Sequence, residues 1–524
     1  MEGIMTAEMT GAESLAKTML ACSVEVCFSN PGTSEMHFVA ALDQEPGIRS
    51  VLGLHESTVT GAADGYGRML DRPAATMLHC GPGMANGLSQ LHNARRARSP
   101  ILNIVGDQAT YHRPFDAPLT ADTEGWAHPV SVWTRSSPTA RDVGRHTAEA
   151  ICQARSRKGI STLILPSDSS WSKGGEVATP LADIAPPQIC NHAVERAATL
   201  LLSEGPNLIV LGGRALRKEP LECAHQIAHR TGATLISMQA VARIERGRGR
   251  HPIDRIPYSG DQAQEMLKSF RNVIVIEAPN PAISFAYPNK FGRPYPADAT
   301  VQVVATLDQD GGRALQMLAN AVGADNIKLP ALSESPEINQ VDLRGSITPA
   351  KISAALTAFL PENAIVVDES ITFGRTIFGL TQHAAPHDWL TLTGGAIGSA
   401  LPLAVGAAVA CPDRRVIALE GDGSAMYTLQ ALWTMARETL NATVVILANH
   451  KYAVLQGELK KVGANEAGPI AMSMLDIGSP RIDWVKMSNS MGVEAIRIDS
   501  METFVDVFRS TNTRKGPFLI ELVI

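Results

Sequence analysis

The stretch "ALEGDGSAMY" (418–427) decides how the rest of the chain is read. Val416 to Leu419 is a short, partly β-branched apolar run bounded by charge and glycine, the pattern of a buried strand. Met426, Leu429, Trp433, Ala436 and Leu440 then recur at steps of three and four, which predicts one face of a helix. Between them lies a Gly-Asp-Gly-Ser turn. A strand–turn–helix junction of this kind aims free N–H groups and a positive helix end at whatever lies above it, and glycine permits close approach. A phosphate suits such a place, but Asp422 would repel one unless a cation lay between them.

The next apolar strand is expected at 443–448, in "TVVILANHKY", and ends at Asn449. A right-handed crossover puts the carboxyl ends of two parallel strands on one edge of the sheet, so Asp422 and Asn449 are expected to be neighbours. A carboxylate, an amide oxygen and a main-chain carbonyl are hard oxygen ligands of the kind Mg²⁺ takes while it keeps positions for a diphosphate and water. The alternative is a tight turn with a capping Asp and an unrelated loop Asn.

Gly-Asp-Gly followed by that Asn resembles the diphosphate-binding motif of thiamine-diphosphate enzymes, with Ala448 standing where the family's first Asn would be. The resemblance implies Asp422, Asn449 and the carbonyl of Lys451 as ligands of Mg²⁺, with Gly421, Gly423, Ser424 and Tyr452 around the cofactor. In "TGGAIGSALPLAVGA" it implies Gly395 as the carbonyl that receives the cofactor's amino group and Ile397 as the residue that bends it.

Towards the N-terminus, "VLGLHESTVTGAADGYGRML" (51–70) reads as a strand followed by a helix, with Glu56 at the junction. An acid there has an ordinary role at a helix N-terminus, worth ~0.3–1 kcal/mol. "HES…AADGYGR" also resembles the segment that carries the cofactor-activating glutamate, which makes Glu56 that residue by implication. "FSNPGTSEMHF" (28–38) and "TMLHCGPGMANGLSQLHNARRARSP" (76–100) are similar to benzoylformate decarboxylase and to acetolactate synthase large subunits. The resemblance places Thr33 and His79 against the substrate. On the residues alone, Thr33 reads equally as a cap for a helix at 35–43 and His79 as a strand-end histidine.

The departures are informative. "NPAISFAYPNKFG" (280–292) has Phe285 and Tyr287 where the decarboxylases carry a second histidine. These two, with Val454 and Leu455, are the candidate substrate pocket. The chain stops after "FLIELVI", so no C-terminal lid is expected.

At 524 residues, two to four domains are expected. Repeated strand–helix alternation implies three doubly wound α/β domains with mostly parallel sheets, at 1–180, 190–335 and 345–524, the last two separated by the polar "SESPEINQVD" (333–342). The balance of 46 basic and 52 acidic residues argues against a nucleic-acid partner. "NARRARS" (93–99) reads as a helix end and "RIERGRGRH" (243–251) as a solvated loop. Seven scattered cysteines read as small buried hydrophobes in a reducing compartment. The uncharged segment 389–412 is too glycine-rich for a membrane span. A cytoplasmic protein is expected, a homodimer at least and a homotetramer by resemblance, without flavin. The expected reaction is decarboxylation of a small 2-oxo acid, with or without ligation to an aldehyde or 2-oxo acid acceptor. A 2-hydroxyacyl-CoA lyase and a non-catalytic thiamine-diphosphate-binding homologue are the alternatives.

Overall fold

The structure is a computed structural model that describes residues 8–288, 290, 292–332, 341–464 and 467–524. Most of the polar connection 333–342 and the first seven residues lie outside the described residues. Three sheets organise the chain. The first contains β1 (Val26–Asn30), β2 (Arg49–Leu52), β3 (Ala74–Leu78), β4 (Ile101–Asp107), β5 (Ser131–Ser136) and β6 (Ile160–Pro166), all parallel in the order β2-β1-β3-β4-β6-β5. The middle stretch supplies β7 (Asn207–Leu211), β8 (Thr234–Ser237), β9 (Ile244–Arg246), β10 (Asp254–Arg255), β11 (Asn272–Ile276) and β12 (Thr300–Ala305). Five of these form the second sheet, ordered β10-β8-β7-β11-β12. The third is built from β13 (Ile365–Glu369), β14 (His387–Thr391), β15 (Val416–Gly421), β16 (Ala442–Ala448), β17 (Glu494–Ile498) and β18 (Phe518–Val523). Its order is β17-β18-β16-β15-β13-β14-β9.

Strands such as β4, β6 and β16 are buried along their whole length, as parallel strands covered on both faces must be. The uncharged segment resolves into β14, a glycine-rich turn and the helix Ala400–Ala410, which is apolar all round and buried. That helix lies against the helix Glu56–Leu70. One continuous apolar cluster runs from Phe28, Val51 and Leu78 through both helices to Val367, Val416 and Val444. Among the described residues no helix is long and apolar enough to cross a membrane.

Several expectations are corrected. The helix expected directly after Gly-Asp-Gly-Ser is broken: a short turn of helix, Asp422–Ala425, is followed by a bend and then the helix Ala431–Arg437. The break turns Thr428 inward, where its hydroxyl donates to the Gly398 carbonyl at 2.6 Å, and leaves Met426 exposed. The buried positions after the bend are Ala431, Leu432 and Met435 rather than Trp433 and Ala436. Cys190 is exposed, whereas Cys22, Cys27, Cys80 and Cys152 are buried and all seven thiols are free.

The stretch 243–251 is a solvated turn only around Arg248 and Gly249, which are exposed. β9 pairs antiparallel with β14, closing the third sheet with residues from the middle stretch. Arg243 ion-pairs with Asp388 at 2.5 Å and Glu245 at 2.9 Å, and the buried Arg246 guanidinium stacks 3.7 Å above the Phe378 ring. Charge here is neutralised and stacked, which composition alone does not reveal. Beside Arg246 lies His387, fully buried, whose Nδ1 donates to the Ala385 carbonyl at 2.7 Å. Burial, helped by Arg246, pushes its imidazole down to about 3. The unfolded chain therefore takes up this proton first, and stability is lost as the pH falls from the ordinary histidine range towards 3. His387→Asn keeps a donor for Ala385 but cannot be protonated. Relative to the variant, wild type should lose about 2 kcal/mol between pH 7 and pH 5 in urea titrations; parallel curves would refute this.

Candidate active site

Parallel pairing brings the carboxyl ends of β2, β1 and β3 side by side, and each is followed by a functional side chain. After β2 comes Glu56, the first residue of its helix, capped by His55, whose Nδ1 accepts the Ser57 N–H at 3.1 Å. Glu56 is buried, and its Oε2 accepts from the Asn86 amide at 3.0 Å. After β1 comes the Pro31–Gly32–Thr33 turn, with Thr33 exposed at the start of the 3₁₀ turn Thr33–Glu35. Thr33 is not the N-cap of the following helix, Met36–Leu42, whose cap position is Glu35. After β3 comes His79, with Cys80 opening the long helix Cys80–Ala97. "NARRARS" is the end of that helix, with Arg98 as its left-handed cap.

A Cβ placed on Gly83 would lie 3.2 Å from Glu56 Oε1 and 3.5 Å from His79 Cβ, so the bare glycine leaves room between the two residues, while the His79 ring itself packs against Gly32. His79 Nδ1 lies 2.8 Å from Glu35 Oε2, which already accepts the Gly32 N–H at 2.8 Å. That carboxylate oxygen accepts from both, so Nδ1 carries the hydrogen and Nε2 is the free nitrogen. Burial raises the Glu35 carboxyl above its usual range, against the pull of Gly32 and His79. Room for Glu35 comes from Gly106 on β4, where any Cβ would overlap Oε1.

On the third sheet, β15 and β16 pair with Gly421 opposite Leu447, so Asp422 and Asn449 follow the ends of adjacent strands. Asp422 is buried. Its Oδ1 accepts the Gly423 N–H at 3.0 Å and its Oδ2 the His450 N–H at 2.7 Å. Burial raises its carboxyl nonetheless. Asn449 Oδ1 accepts the Lys451 N–H at 3.1 Å. The Tyr452 ring occupies the space that a Cβ on Gly423 would need, while Gly421 and Ser424 complete the turn. Gly395, at φ +84°, has open space where a side chain would stand, and Ile397 is two residues on.

That loop is fixed from both sides. Asn93 holds the Ala396 carbonyl at 2.7 Å and the Ala396 N–H at 3.2 Å. Glu369, at the end of β13, accepts the N–H groups of Gly398 at 2.7 Å, Ser399 at 2.6 Å and Ala400 at 3.1 Å. Burial outweighs these donors and pushes Glu369 up to about 7, and Glu420, its register partner on β15, is raised further by burial and by Glu369. Of the candidate pocket, Tyr287 is buried and donates to Glu458 at 2.7 Å, on the same helix as Val454 and Leu455 (Ala453–Lys461); Phe285 and Leu455 are exposed.

Glu35, Asn86, Glu369 and Glu420 are absent from the sequence reading. Glu35 stands two residues beyond Thr33 in the same turn, but nothing in the sequence marks its partners; Glu369 and Glu420 had only their places at strand ends. Gly106→Ala tests the tight seat of Glu35. It should cost ~1–3 kcal/mol by overpacking, and Glu35→Ala in the same chain should recover most of it. Additive losses in chemical denaturation would show that the two do not share space.

Comparison with known proteins adds independent findings. Residues 9–128 match the N-terminal TPP-binding domain of thiamine pyrophosphate enzymes, and residues 374–522 match the C-terminal one. A Mycobacterium tuberculosis protein provisionally named acetolactate synthase large subunit IlvX is 44% identical, over 98% of this chain and 99% of its own. Benzoylformate decarboxylase of Pseudomonas aeruginosa is 27% identical over 94% and 95%. A solved thiamine-diphosphate-dependent 4-hydroxybenzoylformate decarboxylase from Rhodococcus jostii superposes with a TM-score of 0.83 at 25% identity, covering 98% of both chains.

Proposed function

The chain belongs to the thiamine pyrophosphate enzymes, and from that premise we propose that it is a Mg²⁺-dependent 2-oxo acid decarboxylase and carboligase. The observation that carries this reading is the placing of Glu56 and His79 beyond the carboxyl ends of β2 and β3, the strands that flank β1, with only the bare Gly83 between them. A fixed carboxylate and an imidazole with a free Nε2 are the two proton-handling groups such a reaction needs.

The donor set fits the cofactor. Asp422, Asn449 and the Lys451 carbonyl offer oxygen to a hard divalent cation, and a cation relieves the burial of Asp422. These residues would hold Mg²⁺ and with it the diphosphate. Gly395, Ile397 and Glu56 would hold the ring end. When bound, thiamine diphosphate supplies a nucleophilic carbon and an electron sink. The chain's own groups do the rest. Asn86 fixes Glu56, and Glu35 fixes the His79 tautomer so that Nε2 can accept or release a proton at the substrate side. With no second histidine in 280–292 to share the proton with His79, interception by a second carbonyl is favoured over quick protonation. Thr33, Val454 and Leu455 are proposed to shape the substrate pocket with Phe285 and Tyr287. The assembly is proposed as a cytoplasmic homotetramer, in which the first domain of one subunit faces the third domain of its partner.

Two experiments test the reading. Asp422→Ala should weaken Mg²⁺–thiamine diphosphate binding on the order of 100-fold or more in an apoprotein that still folds; equal affinity by calorimetry would move the metal elsewhere. With pyruvate and benzoylformate, and an aldehyde present, wild type should release CO₂ and make more 2-hydroxyketone than free aldehyde. His79→Ala should retain cofactor but lose ~10²–10⁴ in turnover. Turnover of 2-hydroxyacyl-CoA alone, without CO₂ release from any 2-oxo acid, would favour the lyase instead.

A further inference from the structure

Beyond the ends of β1 and β3, three side chains of different chemistry meet. Glu35, His79 and Cys80 offer a carboxylate oxygen, a ring nitrogen and a sulfur that lie within 4.8 Å of one another, the one such grouping of metal-ligating atoms among the described residues. Neighbours in sequence reach the same acid because the chain turns sharply at Cys80, which stands at φ +51°. Residues other than glycine seldom occupy this left-handed region, and strain of this kind gathers at functional sites. Cys80 Sγ is 3.1 Å from the Ser34 hydroxyl, and His79 Nδ1 is 2.8 Å from Glu35 Oε2. Glu35 and Cys80 are enclosed, whereas His79 keeps 22% of its side chain exposed.

The surroundings favour a positive ion. Burial, joined by the charges of Glu35 and Asp107, pushes the Cys80 thiol up to about 11 against the pull of Ser34, and burial raises the Glu35 carboxyl as well. The carboxylates that oppose a thiolate attract a cation, and a divalent ion that displaces the thiol proton relieves both. Glu35 also has an acceptor to spare, since its Oε1 is buried without a hydrogen-bond partner among the described residues. Sulfur, imidazole nitrogen and a carboxylate oxygen form the mixed set that Zn²⁺ takes, whereas Mg²⁺ asks for oxygen. A tetrahedral Zn²⁺ holds such ligands ~3.3–3.6 Å apart, so the three atoms must close by about 1 Å at most. The partly exposed His79 is the member with room to move.

We propose that Glu35, His79 and Cys80 form a Zn²⁺ site that switches the His79 imidazole off. The ion binds the Nδ1 lone pair, so the hydrogen that Nδ1 carried passes to Nε2, and the thiol proton leaves to solvent as the metal–sulfur bond forms. One proton is released for each ion bound, and no group changes oxidation state. With the metal on Nδ1 and a hydrogen on Nε2, the imidazole has no acceptor left at the substrate side. Three protein ligands leave the fourth position of the ion to water. Metal binding depends on nothing in the reaction, while the loss of turnover rests on the role proposed for His79.

The test is titration of holoenzyme, saturated with Mg²⁺ and thiamine diphosphate, with Co²⁺ as a coloured stand-in for Zn²⁺. One equivalent per chain should raise the near-ultraviolet band of a cobalt–thiolate bond, which Co²⁺ held by the oxygens around Asp422 cannot give, and added Zn²⁺ should erase it. In calorimetry, the heat of Zn²⁺ binding should vary with the ionisation enthalpy of the buffer as the release of one proton requires. Saturating Zn²⁺ should lower CO₂ release from 2-oxo acids by ~10²–10⁴, the size of a lost proton-transfer group. Cys80→Ser should lose the band and weaken Zn²⁺ binding on the order of 100-fold, and its turnover should no longer respond to Zn²⁺. Cys80→Ala serves where the serine variant does not fold. No thiolate band in wild type, or a band unchanged in both variants, would overturn the site, and a band at undiminished turnover would overturn the switch. If wild type turned over no 2-oxo acid even without Zn²⁺, the proposed reaction would fall, and the band would still decide the metal site.

Discussion

The contact on which the arrangement depends is the close crossing of the helices Glu56–Leu70 and Ala400–Ala410. It is made by glycine on both sides. A Cβ on Gly65 would overlap the Leu403 carbonyl, one on Gly406 would overlap the Ala62 carbonyl, and one on Gly61 would meet the Pro402 ring. Backbones at this distance gain contact along their whole length, and any larger residue would drive them apart. The first sheet and the third are thereby fixed to each other, with Glu56 at one end of the crossing and the 394–399 loop at the other.

The same helix seals the crossing with a buried ion pair. Arg68 donates to both oxygens of Asp64, at 2.8 and 2.6 Å, and spends its remaining donors on the Thr391 carbonyl and the Thr393 hydroxyl. A buried pair earns little stability unless every donor and acceptor is met, and here the guanidinium reaches across to the third sheet to meet them. The segment "AADGYGR" (62–68) therefore encodes an interface. Gly65 permits the approach, and Asp64 and Arg68 set its angle.

What was legible in the sequence follows from how local each signal is. Strand ends and their spacing are local, so Asp422 with Asn449, and Glu56 at its junction, could be read from apolar runs and turns, as could parallel α/β architecture with three sheets. Pairings made across the fold were not. β9 joins the third sheet through three residues of a basic stretch that looked solvent-bound, and the helix after Asp422 is broken where Thr428 bonds to Gly398, 30 residues away in sequence. Glu35 is silent for the same reason, since its partners are His79 on another strand end and the empty side of Gly106.

Those silent acids share a design. Each sheet places a buried glutamate at its carboxyl edge: Glu35 beyond β1, Glu277 beyond β11 and Glu369 at the end of β13. Each accepts backbone N–H groups from a neighbouring turn, at Gly32, Ala215 and Gly398–Ala400 respectively. In open α/β sheets this edge is where ligands bind, and an unfilled turn there would leave N–H donors unpaired at a cost of ~1–3 kcal/mol each. The internal carboxylates meet that need and differ in what they leave available. Glu35 holds the His79 Nδ1, and Glu369 holds the backbone of the turn at Gly398–Ala400. Glu277 fills the glycine turn after β7, at Gly212–Gly213, and is itself neutralised by Lys158 of the first sheet's domain at 2.9 Å.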